Sequence, residues 1–187
     1  MDPLLLDLPD EITTRRLLLR PPRAGDGPAV NEAVLESLEG LQRWMPWSTP
    51  TPTVEQSESW CRRAGADFLA RKQLPMLLFL RDPGTFVGSS GMHAVNWEVP
   101  RFEIGYWVRR RLERQGLVTE AVGALAHFAF DRLGAQRVEI RCDDRNDRSW
   151  RVAERLGFRL EGTLRNECRD AYGLRDTRVY AVTQPLG

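Results

Sequence analysis

The stretch from Ile104 to Leu133 constrains the fold more than any other part of the chain. Ile104-Gly105-Tyr106-Trp107-Val108 is an apolar strand end, and Arg109–Gly116 is a loop carrying four arginines. A helix then begins at about Leu117, placing Val122, Leu125, Ala126, Ala129 and Leu133 on one face, with Gly134 as its stop. Strand, basic loop and helix N-terminus together make the layout of an anion site. First-turn N–H groups lack intrahelical acceptors, and the helix dipole adds partial positive charge. Gly116 lets the backbone approach a ligand closely, and the arginines supply charge-assisted donors. Gly105–Ala121 therefore reads as a cradle for a pyrophosphate, with a solvated basic turn as the alternative.

The flanking segments set this unit in a mixed α/β layout. Thr14–Arg20 is predicted as a first strand, and Asp26–Leu41, with Ala29, Val30, Ala33, Val34, Leu38 and Leu41 at helical spacing, as one helix. Thr53-Val54-Glu55-Gln56 fits a capping box opening a helix that runs to about Lys72. Pro75–Leu80 is a buried strand, and Arg81–Thr85 a turn. Phe86–His93 and Arg101–Val108 follow as strands, completing an antiparallel meander. In Gln136–Cys142, Val138, Ile140 and Cys142 alternate with charged residues. Asn146 caps a helix that ends at Gly157. Phe158–Leu164 and Arg178–Thr183 are the last strands, with Asn166–Leu174 as a polar loop between them. Only the strands flanking a crossover helix need be parallel.

Composition narrows the function classes. A length of 187 residues suits one domain, 1–187. A net charge of +1 gives no global electrostatic reason to bind nucleic acid or a membrane surface, so any basic patch is local. Arg109-Arg110-Arg111 is the main support for a nucleic-acid role. No apolar run is long enough to span a membrane, and the acidic first residues lack a signal-peptide pattern. Cys61, Cys142 and Cys168 are odd in number and widely spaced, against a disulfide framework or zinc site. A reducing cytoplasm is the expected compartment. Trp44 and Trp47, beside Pro46, either plug the core edge or wall a substrate pocket.

Two groups of short motifs then converge. The first is Ile104–Val108 followed by Gln115-Gly116-Leu117-Val118-Thr119-Glu120-Ala121. The second is Asn146-Asp147-Arg148-Ser149, Glu154-Arg155-Leu156-Gly157-Phe158, Glu161-Gly162, Arg165 and Asp176 to Tyr180. In order and spacing they resemble the GNAT superfamily of acetyl-CoA-dependent N-acetyltransferases. The matching branch is the RimJ/RimL type, which includes ribosomal-protein N-terminal acetyltransferases. Arg16–Arg20 and Trp44–Trp47 fit that branch too, so the resemblance covers roughly residues 12–184. It implies a largely antiparallel, twisted sheet of about seven strands, flanked by helices and splayed at its central strands. In the family the phosphate loop reads Gln/Arg, two residues, Gly, one residue, Gly/Ala; here Glu113, Gly116 and Val118 occupy those places. Glu113 is a poor neighbour for a pyrophosphate unless its side chain turns away, and Val118 narrows backbone access; Arg111 and Arg114 compensate with charge.

The resemblance also implies a chemistry: acetyl transfer to a primary amine by direct attack in a ternary complex, with no metal. Acetyl-CoA would lie on Tyr106, Trp107 and Val108 by its pantetheine arm, on Glu113, Arg114, Gln115, Gly116, Leu117, Val118 and Thr119 by its pyrophosphate, and beside Asn146 and Ser149. A backbone N–H near Val108 would polarise the thioester carbonyl. Ser149 is the candidate acid for the leaving thiolate; the alternative is a capping hydroxyl. Glu103 and Glu167 are the candidate bases, each otherwise a surface charge. Trp44, Trp47 and His93 are candidate acceptor-site residues, His93 otherwise structural. The acceptor is a protein N-terminus, including that of a ribosomal protein, or a small amine such as an antibiotic, amino acid or polyamine. Neither membrane nor nucleic acid is an expected partner, and a homodimer is left open. A non-catalytic acyl-CoA-binding module on the same fold is a further alternative.

Overall fold

The computed structural model describes residues 2–170 and 173–187. Its strands are β1 (Ile12–Thr13), β2 (Leu17–Arg20), β3 (Leu74–Leu80), β4 (Phe86–Asn96), β5 (Arg101–Val108), β6 (Arg137–Asp143), β7 (Arg159–Asp170) and β8 (Gly173–Val182). They form a single sheet in the order β1-β2-β3-β4-β5-β6-β8-β7, eight strands where about seven were expected. Every neighbouring pair is antiparallel except β5–β6. The helices are α1 (Gly27–Glu36), α2 (Leu38–Trp44), α3 (Val54–Leu69), α4 (Leu117–Leu133) and α5 (Asp147–Arg155). The parallel pair is the one joined through α4, as a crossover requires.

Alternation along the strands divides the interior into two cores. Met76, Leu78, Phe102, Ile104, Val138 and Ile140 pack with Leu117, Val122, Leu125 and Ala129 of α4 and Val152 of α5. Leu77, Phe86 and, at its edge, Trp107 pack with Val30, Ala33 and Val34 of α1, Leu41 of α2 and Cys61 of α3. Successive side chains point to opposite faces of a strand, so adjacent residues such as Met76 and Leu77 serve different cores.

The break in the sheet matters most for function. β5 and β6 pair at Arg101–Arg137, Phe102–Val138 and Glu103–Glu139, where their register ends. Beyond it, β5 stays with β4 as far as Val108–Gly88, while β6 stays with β8 as far as Asp143–Thr177. The two central strands thus part company over their C-terminal halves. Strand twist accumulates along both, and their recorded pairing ends at Glu103.

Several expected boundaries moved. The strand expected at Thr14–Arg20 begins only at Leu17, as β2: Thr14 Oγ1 accepts from Leu17 N–H at 2.9 Å, a side-chain turn that reverses the chain between β1 and β2. The helix Asp26–Leu41 is two helices, α1 and α2, parted at Ser37. The Ser37 hydroxyl donates to Ala33 O at 2.7 Å and accepts from Arg110 N–H at 2.9 Å. That competition for an i−4 carbonyl bends helices. The expected loop Asn166–Leu174 is mostly strand, because β7 and β8 continue into a long antiparallel arm; its residues Ala171 and Tyr172 lie outside the described residues. β7 is exposed along nearly its whole length, so it carries no period-two apolar signal. The capping box at Thr53 and Gln56 is present as read, with bonds of 3.2 and 2.8 Å.

Candidate functional site

A cavity of about 520 Å³ opens at the C-terminal end of β5, between the first turns of α4 and α5. Tyr106, Trp107 and Val108 of β5, the whole run Glu113–Thr119, and Asn146 and Ser149 of α5 all line it, as does Trp44. Each residue expected to hold the cofactor therefore faces one space. The elements explain why. β5 ends at Val108, a short 3-10 turn follows at Arg110–Leu112, and Gly116 takes a left-handed φ of 73° as the N-cap of α4. A residue with a Cβ adopts that conformation only with strain. Leu117, Val118 and Thr119 of the first turn of α4, whose amides have no intrahelical acceptor, line the cavity.

The strand edge supplies another donor. Arg109 N–H donates to Val87 O at 2.7 Å, toward β4. Backbone donors alternate in direction along a strand, so the Val108 N–H points the other way, into the gap.

At the α5 side, Asn146 Oδ1 accepts from Ser149 N–H at 3.2 Å, as a cap. Ser149 also has a second role. Its hydroxyl donates to the Tyr106 hydroxyl at 3.2 Å, and Tyr106 donates to the Ser149 carbonyl at 2.8 Å. Burial pushes the Tyr106 phenol well above its usual range, so it stays protonated. Burial likewise pushes the nearby Cys142 thiol up to about 11, against a hydrogen bond with Ser149 that acts the other way.

The charged residues of the loop divide their work in a way the sequence did not disclose. Arg109 is 4% exposed and pairs with Glu32 and Glu36; its Nε is 2.5 Å from Glu36 Oε2. Arg110 pairs with Glu39 at 3.0 Å, and Arg111 lies 3.7 Å from Glu36. The Arg109-Arg110-Arg111 run is thus a latch onto α1 and α2, its charges met by Glu32, Glu36 and Glu39. Arg114 lines the cavity. Glu113 turns its carboxylate to Arg148 of α5, with Oε2 2.7 Å from NH1. The acid that stands where a polar or basic residue was expected is therefore neutralised by a neighbour.

The remaining predicted residues stand elsewhere. Glu103 and His93 face each other across β5 and β4, with His93 Nε2 3.1 Å from Glu103 Oε1. Gly105 leaves room for that imidazole, because a Cβ there would meet His93 Cε1 at 2.9 Å. Glu103 alternates with Phe102 and Ile104, so it lies on the sheet face away from α4. Glu167, on the β7 arm, pairs with Arg141 at 2.9 Å. The Trp47 ring is 6.1 Å from Trp107, which in turn stands 5.9 Å from Phe86. Trp47 is half exposed beside Trp107, while Trp44 lines the cavity. Sequence reading missed Tyr106 as the partner of Ser149, which is 43 residues away, and missed Arg148, Arg151 and Arg155, which line the cavity from α5. Their i, i+3/i+4 spacing on a helix was the available signal.

A splayed β5–β6 pair, a helix N-terminus and a hydroxyl pair beside one cavity are an arrangement suited to acyl transfer. The family described as acetyltransferase (GNAT) domain matches residues 16–159, and the chain belongs to it. It is an acyltransferase, and acetyl-CoA is the cofactor of that family. Among its relatives is the ribosomal-protein-serine acetyltransferase of Escherichia coli (strain K12), 29% identical over 142 residues, spanning 74% of this chain and 78% of the relative. The N-acetyltransferase YoaA of Bacillus subtilis (strain 168) is 27% identical over 133 residues, 71% of this chain and 75% of that protein. Among solved structures, the microcin C7 self immunity acetyltransferase MccE, in complex with acetyl-CoA and AMP, superposes with a TM-score of 0.88 at 21% identity, covering 95% of this chain and 98% of that one. RimL, a ribosomal L7/L12 alpha-N-protein acetyltransferase in complex with coenzyme A, superposes with a TM-score of 0.87 at 23% identity, covering 92% and 97%. These two likenesses concern the fold.

Proposed function

We propose that the protein transfers the acetyl group of acetyl-CoA to the N-terminal α-amine of a protein or peptide in the cytoplasm, by direct attack in a ternary complex. One observation carries this reading: the Ser149–Tyr106 hydroxyl pair shares a cavity with the first turn of α4. The residues present suit a bound coenzyme. Gly116 and the amides of Leu117, Val118 and Thr119 suit a diphosphate, with Arg114 adding charge. Tyr106, Trp107 and Val108 suit an extended pantetheine arm along the open strand edge. Acetyl-CoA, when bound, supplies the thioester.

The chain's own groups would do the rest. The Val108 N–H would serve as a donor to the thioester carbonyl oxygen. An amine arriving as ammonium must lose a proton before it can attack. Glu103, with His93 as its partner, takes that proton from the sheet face away from α4, where Trp47 and Trp107 form a wall. Glu167, held by Arg141 on the β7 arm, is the second candidate base. On the other side of the cavity the Ser149 hydroxyl would give its proton to the departing sulfur by a turn about χ1 and regain one from solvent, while Tyr106 anchors Ser149 through its carbonyl. The N-terminal α-amine as acceptor is supported by the E. coli relative, whose name specifies a ribosomal-protein serine.

A thiol-release assay with acetyl-CoA and two panels, short peptides with free N-termini and small amines, tests the reading. Turnover on peptides with a free α-amine, lost when that amine is blocked, is the expected result. Turnover confined to small amines would replace the acceptor, and coenzyme binding without turnover on either panel would make the protein an acyl-CoA-binding module.

A further inference from the structure

Arg16 grips the peptide that opens α4 from outside the cavity. It lies in the turn between β1 and β2, and its partner Glu120 is 104 residues further along the chain. The Arg16 backbone N–H donates to Glu120 Oε1 at 2.8 Å, and Arg16 Nε donates to Glu120 Oε2 at 2.7 Å. Thr14 Oγ1 donates to Glu120 Oε1 at 2.6 Å. A further guanidinium nitrogen, NH1, donates to the Gln115 carbonyl at 2.9 Å. NH2 stands 3.6 Å from the point a Cβ on Gly116 would occupy. Glu120 closes the unit, since its N–H donates to Gly116 O at 3.0 Å.

We infer that Arg16 is a positioning residue for the diphosphate of the acyl donor, an inference that rests on the acetyl-CoA reading above. A trans peptide is planar, with its C=O and N–H on opposite edges. Fixing the Gln115 carbonyl toward Arg16 therefore turns the Gly116 N–H away from the β1–β2 turn, on the side of the cavity that Gln115 and Gly116 line. Arg16 also resolves a conflict inside the first turn of α4. Glu120 is a carboxylate there, placed where it would compete with a bound anion for the helix N-terminus. Burial works to raise its pKa, but the bonds from Thr14 and Arg16 outweigh that and hold it below the usual carboxylate range. The ionised group is thereby fixed on the outer side of the helix, its charge met by Arg16. A left-handed Gly116 beside a left-handed Arg114, φ 62°, has several alternative arrangements; the guanidinium selects one.

Calorimetric titration with two probes tests this: coenzyme A, and pantetheine, which lacks the diphosphate. Arg16→Ala removes a charge-assisted bond and is expected to weaken coenzyme A about tenfold while changing pantetheine by less than about twofold. Arg16→Lys keeps the charge but has one ammonium for two partners, and is expected to weaken coenzyme A about threefold; it decides the matter if the alanine variant fails to fold. Unchanged coenzyme A affinity in the folded variants overturns the inference, and so does a parallel loss for both probes, which marks a merely structural role. A wild-type protein that binds no coenzyme A would overturn the acetyl-CoA reading itself, and this inference with it. Wild-type binding with unaltered variants would overturn only the role of Arg16.

Discussion

The two sides of the parted strands are built differently. On the α4 side, cavity-lining groups come from contiguous runs: Tyr106–Val108, Glu113–Thr119 and the first turn of α5. Much of the chemistry there belongs to the backbone, through amides whose direction is set by where a strand ends and a helix starts. On the other side, Glu103, His93, Trp47, Arg141 and Glu167 come from separate elements, and each is already engaged by a protein partner. A backbone-built site fixes the shared part of a reaction and tolerates side-chain change. A side-chain-built site leaves the acceptor free to differ between relatives on one fold.

This contrast makes substitutions on the two sides separable. The largest effect is expected at Ser149. Ser149→Ala removes the acid for the leaving sulfur and should lower kcat by about 10²-fold or more. Acetyl-CoA affinity should be nearly unchanged, because the cap is made by Asn146 and the Ser149 backbone N–H. Steady-state kinetics beside calorimetry reads both, and equal turnover removes Ser149 from the mechanism. Next come the carboxylates. Glu103→Gln should lower kcat by roughly 10-fold or more with little change in coenzyme affinity, and Glu167→Gln should act mainly on the KM of the acceptor. The opposite pattern exchanges their roles. A smaller, favourable effect is expected at Glu113. Glu113→Gln removes a negative charge from the cavity wall and frees Arg148, so coenzyme A should bind a few-fold more tightly at low salt, with the gain shrinking as salt rises. Weaker binding would mean that the Glu113–Arg148 pair supports the loop.

The smallest effect concerns acid stability. Glu120 is ionised and bonded in the fold, with its pKa held below the unfolded value. Such a group contributes stability that is fully present above the unfolded carboxylate pKa and is lost as pH falls through the folded one. Glu120→Gln should therefore flatten the acid limb of a denaturation profile while leaving its shape above about pH 5 unaltered. A parallel shift at all pH values would assign the effect to packing.

What was legible in the sequence follows the same division. The Gly116 turn, the amphipathic α4, the Thr53 and Asn146 caps and the run of cavity-lining residues are local patterns, and they stand where the sequence put them. The contacts that complete the site join residues far apart in the chain, such as Tyr106 to Ser149 or Arg16 to Glu120, and leave no periodic trace. The β7–β8 arm escaped for another reason. With both faces of β7 exposed, its strand is held by backbone pairing to β8, which polar residues satisfy as well as apolar ones. Arg109-Arg110-Arg111 looked like open positive charge because Glu32, Glu36 and Glu39 lie more than 70 residues away.

On the proposed reading, the cavity at the end of β5 holds the coenzyme, with its diphosphate at the first turn of α4. Calorimetric titration of acetyl-CoA into the wild type and Arg114→Glu tests it most directly. The charge reversal sits on the cavity wall, so the wild type should bind one equivalent and the variant about tenfold more weakly or worse, both remaining folded. Unchanged affinity in a folded Arg114→Glu variant would put the phosphates elsewhere and contradict the account.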